Sequence, residues 1–258
     1  MSRLNVELKT ITLSVKSILV SQPKPENGKS PYFELAEKHD IKIDFRPFIH
    51  VEGIGAQEFR QARINFSDYT AVVLNSRNAI EHYFRMAAEM RFEVPDSMKY
   101  FCTSEAVALY LQKHVVYRKR KIFFGPQSIS GLIEVMKKHK KEKFLLPCSD
   151  ANNQLASNTL GAAGFDVTNA TIFKTVCSDL SDLADVNYDI LVFYSPSGIE
   201  SLYKNFPDFK QNNTRLAVFG NKTTKAVEDR GLTVNIGAPT PEIPSMTMAI
   251  ENYIKENK

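Results

Sequence analysis

Cysteine is scarce in this chain. Cys102, Cys148 and Cys177 are the three in 258 residues, and no CxxC pair occurs. An odd, widely spaced set fits neither a disulfide framework nor a structural zinc site. A reducing cytosol is the compartment it suits. Long apolar runs are missing too. The opening stretch MSRLNVELKTITLSVKSILV (1–20) has none, so neither a signal peptide nor a membrane span is expected, and a cytoplasmic chain is. Charge of one sign is also lacking. Lys and Arg number 33 against 29 Asp and Glu, a net charge of +4, which does not demand nucleic acid. The basic residues are uneven, with YRKRK at 117–121 and KKHKKEK at 137–143. Such runs make a solvated face or a field that draws a polyanion.

Familiar catalytic patterns are absent as well. HExxH and GxSxG do not occur, and the histidines at 39, 50, 82, 114 and 139 are scattered, so no metal is expected. GNKTTK (220–225) has the tail of a phosphate loop without its leading glycine. GIG (53–55) is too short for a dinucleotide fingerprint. His82, among apolar neighbours, reads as a partly exposed helix residue rather than a base.

Short apolar runs alternating with amphipathic stretches are what the chain does have. SILV (17–20), IKIDF (41–45), AVVLN (71–75), KYFCT (99–103), KIFFG (121–125) and KFLLP (143–147) read as strands. Helices are predicted after Ser30-Pro31, with Phe33, Leu35 and Ala36 facing inward, and over 79–90, 105–114, 130–139 and about 152–163. Strands alternating with helices of this length predict parallel sheets covered on both faces.

The order then repeats. LVFYSPSGIE (191–200) answers VVLNSRNAIE (72–81). Tyr69/Tyr188, Val73/Val192, Ser76/Ser195, Ile80/Ile199 and Glu81/Glu200 are identical pairs. FLLPCSD answers ILVSQPK, FDVTNATIF answers IKIDFRPFI, and RLAVFGNKTTKAV answers KYFCTSEAVALYL. A period of roughly 120 residues is the length of a domain, which predicts two similar α/β lobes.

Ligands of open α/β sheets collect outside the carboxyl ends of the strands, where the doubled motif sits. Ser76 and Ser195 each end a strand and can cap the next helix. Gly198 would let a backbone come close to a neighbour. Gly220, with Thr223 and Thr224, repeats the arrangement, and Ser128 and Ser245 precede the last helix of each lobe. A helix start offers unpaired N–H groups and roughly half a positive charge, which suits a carboxylate or a phosphate. One such contact is weak, so only an array would hold a ligand, and that ligand would be rich in negative groups.

At SPSG (195–198), FGNKTT (219–224) and APTPE (238–242) with MAI (248–250), together with VVLNSRNA (72–79) and FLLPCSD (144–150), the sequence resembles the uroporphyrinogen-III synthase family. The resemblance runs from about Lys16 to the C-terminus. It implies two discontinuous, flavodoxin- or Rossmann-like lobes joined by a two-stranded β-ladder. One lobe would be residues 1–44 plus 175–258 and the other 47–172, so the lobes exchange their opening elements. It implies that hydroxymethylbilane, a linear tetrapyrrole with eight carboxylate side chains, is closed to uroporphyrinogen III. Water is lost and the terminal ring is inverted through a spiro intermediate, without a metal or organic cofactor. The partners implied are this polycarboxylate substrate and the preceding bilane-forming enzyme. No nucleic acid or membrane is implied, and a monomer is expected.

The resemblance assigns substrate binding to Ser76, Asn78, Thr103 and Ser128 in one lobe. In the other it assigns Ser195, Ser197, Gly198, Gly220, Thr223 and Ser245. The chain departs from the family at several of its motifs. Ser21-Gln22-Pro23 replaces a Thr-Arg-Pro, Pro147-Cys148-Ser149 a Pro-Arg-Gly, and Asn221-Lys222 a Pro-Thr. Cys102 to Ala106 replace a Val-Gly-Glu-Ala-Thr. Phe173 stands where the family has a tyrosine suggested to help the leaving hydroxyl, and a phenyl ring cannot donate a proton. Lys174 and Tyr194 are the candidates to replace it. A binding protein that has kept the fold and lost catalysis, and a nucleic-acid or regulatory module using the basic runs, are the competing readings.

Overall fold

A computed structural model of the chain describes residues 14–26, 28–126, 128–149, 153–184 and 186–257. The opening residues 1–13, where no signal peptide is expected, lie outside the described residues, as do Asp150 and the expected helix start at 152. The chain divides into two compact units. Unit 1 takes the chain up to His50 and again from Cys177; unit 2 is Val51–Val176.

Unit 1 contains β1 (Ser17–Val20), α1 (Pro31–His39) and β2 (Lys42–Phe45). Unit 2 follows, with β3 (Ile49–Gly53) at the crossing, then α2 (Ala56–Gln61), β4 (Ala71–Leu74) and α3 (Arg77–Glu89). It continues through β5 (Lys99–Cys102), α4 (Glu105–Leu111), β6 (Ile122–Phe124) and α5 (Ile129–Met136). It closes with β7 (Lys143–Ser149), α6 (Asn153–Ala162) and β8 (Asp166–Cys177). The chain then returns to unit 1 for β9 (Ile190–Phe193), α7 (Pro196–Asn205), β10 (Arg215–Phe219), α8 (Asn221–Glu228), β11 (Val234–Ala238) and α9 (Met246–Glu256).

The unit 1 sheet runs β11-β10-β9-β1-β2, with every neighbouring pair parallel. Taken in chain order within the unit, its strands stand 2-1-3-4-5, the flavodoxin-like order. Register builds both faces. Leu19, Leu191 and Leu216 stand side by side and meet Ile199 and Leu202 of α7 and Val227 of α8. Ile18, Val20, Ile190 and Val192 point the other way, onto Tyr32 and Leu35 of α1 and Ile250 of α9. This alternation follows from the period of two in a strand, and each fully buried aliphatic side chain contributes about 1.5–3 kcal/mol.

The unit 2 sheet runs β3-β8-β7-β4-β5-β6. Without β3, and with the order β7, β8, β4, β5, β6 numbered one to five, it is again 2-1-3-4-5. The second copy of the opening strand–helix–strand therefore completes the sheet of unit 2, and the first copy completes that of unit 1. The two lobes are discontinuous and similar, in the fold class expected. Val72, Leu74 and Tyr100 pack under α3 and α4, whereas Val73, Phe101 and Phe144 pack under α5 and α6.

Local readings differ from the structure in a few places. Tyr32, not Phe33, is the aromatic that α1 buries; Phe33 is half-buried and meets Phe45 at 5.8 Å. The helix expected to reach His114 ends at Leu111. The one expected to reach His139 ends at Met136 and tightens into a 3-10 turn over Lys137–His139. β3 and α2 are not among the strands and helices read from the sequence; IHVEG alternates Ile49 and Val51 with polar residues, but it is short and almost wholly exposed.

Candidate functional site

In a sheet of order 2-1-3-4-5, the connections part in opposite directions between the first and third strands, leaving a crevice at their carboxyl ends. In unit 1 that crevice opens between β1 and β9; in unit 2 it opens between β7 and β4. Each copy of the doubled serine ends one of these strands. Ser195 Oγ accepts the Gly198 N–H at 3.3 Å, and Ser76 Oγ accepts the Ala79 N–H at 3.1 Å. Both are N-caps with extended backbone, and Pro196 opens α7. Ser128 and Ser245 cap α5 and α9 in the same way, accepting from Gly131 and Met248 at 2.9 and 3.2 Å.

Unit 1 brings most of its expected residues to one edge. Two depressions adjoin there and share Tyr194 and Phe219 as a wall, whose rings are 5.6 Å apart. The first, about 330 Å³, is lined by Gln22, Pro23, Tyr32, Phe45 and Ser245 among others. The second, about 460 Å³, is lined by Pro196, Gly220, Asn221, Lys222, Thr223 and Pro239. Gly220 is the N-cap of α8. Its φ of +85° and ψ of 147° lie in a region that only glycine enters freely, and no side chain caps this helix. The Thr223 and Thr224 N–H groups turn back to Gly220 O, each at 3.0 Å. The Asn221 and Lys222 amides have no such partner in the helix, since the first N–H groups of any helix lie beyond reach of a carbonyl four residues back. Thr223 itself is 2 % exposed.

Gly198 makes its close approach inside unit 1. Its N–H is taken by Ser195 Oγ, and the space a Cβ would fill faces the Phe193 ring at 3.2 Å. The close approach it permits is to its own core. Tyr194 Oη lies 2.7 Å from Tyr32 Oη, a contact joining α1 to the end of β9 across 162 positions of sequence. Burial raises the pKa of both phenols.

In unit 2, Ser76, Asn78, Thr103 and Ser128 follow β4, β5 and β6. Thr103 is buried, and its hydroxyl donates to Asn75 O at 3.4 Å. The start of α4 is self-capped: Ser104 Oγ accepts the Val107 N–H at 3.3 Å. Cys148 is buried at the end of β7, donates to Ala170 O at 3.4 Å and has its thiol pushed up to about 12 by burial. Burial likewise lifts Cys102 to about 12, and neither is a ready nucleophile at neutral pH. All three cysteines are free.

Phe173 sits on β8 with 7 % of its surface exposed. It stacks on His82, ring centroids 5.1 Å apart. Burial first, and then the Arg85 charge, hold the His82 pKa down. Arg85 was not foreseen. Its guanidinium donates to His82 Nδ1 at 3.2 Å, to Ile54 O at 2.9 Å and to Ile172 O at 3.0 Å. A Cβ on Gly53 would stand 2.5 Å from it, so Gly53 makes the room. Lys174, next along β8, is half-buried. Among the described residues no three His, Cys, Asp or Glu side chains converge as a metal site would require, and no helix is long and apolar enough to cross a membrane.

A cavity of about 740 Å³ lies in unit 1 at the opposite, amino-terminal edge of the sheet, lined by Asp189, Phe206, Thr214 and Arg215 among others. It shares none of the expected site residues.

Solved structures of similar shape include two from bacteria. Uroporphyrinogen-III synthetase of Helicobacter pylori matches with a TM-score of 0.58 at 17 % identity, over 93 % of this chain and 99 % of that one. A mutant uroporphyrinogen III synthase of Thermus thermophilus matches with a TM-score of 0.51 at 13 % identity, over 94 % and 98 %. At such identities the likeness shows the fold. No curated protein matches the sequence significantly. The family model of uroporphyrinogen-III synthase HemD matches residues 30–248, from the cap of α1 into α9. The chain belongs to the uroporphyrinogen-III synthase family.

Proposed function

We propose that this chain closes hydroxymethylbilane to uroporphyrinogen III, losing water and inverting the terminal ring through a spiro intermediate. The observation that carries the reading is the family match over residues 30–248, which takes in all of unit 2 and most of unit 1. The geometry supports it. A substrate with eight carboxylates suits an array of helix starts, and each crevice has a strand ending in a capped or open one. In unit 1 the open start of α8, with Lys222 in its first turn, is the strongest such seat. Ser195, Ser197, Gly198, Gly220, Thr223 and Ser245 would form the unit 1 subsite, and Ser76, Asn78, Thr103 and Ser128 that of unit 2. Gly198 and Thr223 would act there through the backbone they shape.

The chemistry asks for placement more than for a strong base. Once hydroxide has left, the azafulvene closes in free solution without inversion. The protein has to hold the chain in the folded form that leads to the spiro route, and to keep water away. Preorganised main-chain N–H groups do this at low reorganisation cost. The reading carries with it a cytoplasmic monomer that receives its substrate from the preceding bilane-forming enzyme. Incubating the purified protein with enzymatically made hydroxymethylbilane and separating the product isomers tests the activity. Isomer III is expected; isomer I alone, as forms without protein, would refute it.

A further inference from the structure

Departure of a hydroxyl from a hydroxymethyl carbon is slow unless the oxygen is protonated or strongly hydrogen-bonded as it leaves. Phe173 supplies no proton. The unit 1 crevice holds two phenols. Among the described residues lining the 330 Å³ depression, Tyr32 and Tyr194 are the only side chains that titrate. Tyr32 is fixed: 6 % exposed, its N–H donates to Ser30 Oγ at 3.3 Å, and its ring stands edge-on to Phe45 at 5.7 Å. Tyr194 is less enclosed and lies where this depression meets the one bounded by Gly220 and Lys222. A carboxylate seated on the start of α8 would bring its own pyrrole ring beside the Tyr194 hydroxyl.

We propose that Tyr32 and Tyr194 work as a donor pair, in which Tyr32 donates to Tyr194 Oη and Tyr194 donates to the hydroxyl leaving the bilane. This rests on the reading of the protein as the cyclising enzyme. The direction follows from the surroundings. The buried Tyr32 hydroxyl has Tyr194 as its partner at 2.7 Å, and donating to it leaves the Tyr194 proton free to face the depression. A donor hydrogen bond received by Tyr194 also makes it the better donor. Consistent with this, the shared bond raises the Tyr32 pKa and lowers that of Tyr194 against the upward pull of burial.

The step balances. The C–O bond breaks with its electron pair going to oxygen, and that oxygen takes the Tyr194 proton and departs as water. The pyrrole nitrogen lone pair forms the exocyclic double bond of the azafulvenium ion. The proton lost from the terminal ring's α-carbon at closure restores Tyr194. Meanwhile the Tyr32 hydrogen bond steadies the transient phenolate. Tyr32 is thus a positioning residue that acts only through Tyr194.

The test is a double-mutant cycle with Tyr32→Phe and Tyr194→Phe in the full chain, with kcat, KM and isomer ratio measured. Tyr194→Phe is expected to lower kcat on the order of a hundredfold with little change in KM, the size of one general-acid contribution. Tyr32→Phe should lower kcat by about tenfold, the loss of one hydrogen bond to a charged group, but should have no further effect on top of Tyr194→Phe. Wild-type kcat within twofold in Tyr194→Phe would overturn the proposal. So would a Tyr32→Phe effect undiminished in the double variant, which marks a merely structural role. If Tyr32→Phe unfolds, the kcat and KM of Tyr194→Phe decide alone. A wild-type protein that makes only isomer I refutes the functional reading itself, which is a separate outcome.

Discussion

The two units share a strand order, a capping serine at the switch point and a helix after four of the five matching strands, yet their carboxyl edges are finished differently. After β10 of unit 1 stands Gly220, with no side chain to cap α8; after β5 of unit 2 stands Ser104, which caps α4 itself. Before the doubled serine stands Tyr194 in unit 1, beside the Phe219 ring, and Asn75 in unit 2, whose carbonyl takes the Thr103 hydroxyl. Unit 1 therefore starts α8 without a side-chain cap and sets a phenol at its edge, where unit 2 has a serine cap and a main-chain carbonyl that is already bonded. A duplicated scaffold keeps its packing rules, while the residues just beyond the strands are free to diverge, because they carry little of the core.

The comparison can be broken first at its common part. Phe101 on β5 of unit 2 and Phe193 on β9 of unit 1 are fully buried. Each Phe→Ala change should cost about 3–5 kcal/mol in urea unfolding. A large loss in one unit only would show that the packing is not equivalent. A smaller effect separates the two edges. Gly220→Ala forces a Cβ into a left-handed backbone and should cost about 1–3 kcal/mol, although the space around it is open. Ser104→Gly at the matching place should cost only a few tenths, about 0.3 kcal/mol. Thermal unfolding of the two variants checks the contrast.

Next come the doubled caps. Ser76→Ala and Ser195→Ala each lose one N–H acceptor of similar length and should each destabilise by about 0.5–2 kcal/mol. A marked inequality would mean that one serine has a role its twin lacks. The smallest effect is electrostatic and peculiar to unit 1. Glu251 on α9 receives hydrogen bonds from Lys255 and Lys38, which draw its carboxyl down from 4.5 to about 2. A depressed folded value adds stability above the unfolded one, and that stability is lost as pH falls from 4.5 toward 2. Glu251→Gln should flatten this part of the profile of melting temperature against pH by slightly lowering the neutral value, where the stabilisation is present, and leaving the value below pH 2 unchanged; solvent keeps the change small.

Much of this was legible in the chain. The caps at Ser76, Ser128, Ser195 and Ser245 could be read because capping needs only the serine and the three residues after it. The sheets could be read because SILV, AVVLN and KFLLP are short apolar runs with helices between them. The exchange of opening elements could not be read from the repeat, since either pairing satisfies the same local pattern; it came with the family resemblance. Tyr32 was passed over for the more apolar Phe33 because its hydroxyl is satisfied by Tyr194, far away in sequence. Arg85 was missed for the same reason: its acceptors, Ile54 O and Ile172 O, are main-chain atoms that no side-chain pattern reveals. Gly198 reads in the sequence as a place of close backbone approach, and the neighbour it approaches is the Phe193 ring, which no local pattern names.

The central claim is that open main-chain amides at the carboxyl edge of the strands hold the substrate's carboxylates. Amide shifts of nitrogen-15-labelled protein, followed during titration with uroporphyrinogen III kept reduced, test it most directly. The account predicts the largest shifts at Asn221 and Lys222, with smaller ones near Ser195 and Ser76. Shifts confined to the opposite edge, around Asp189, Phe206 and Thr214, would contradict it.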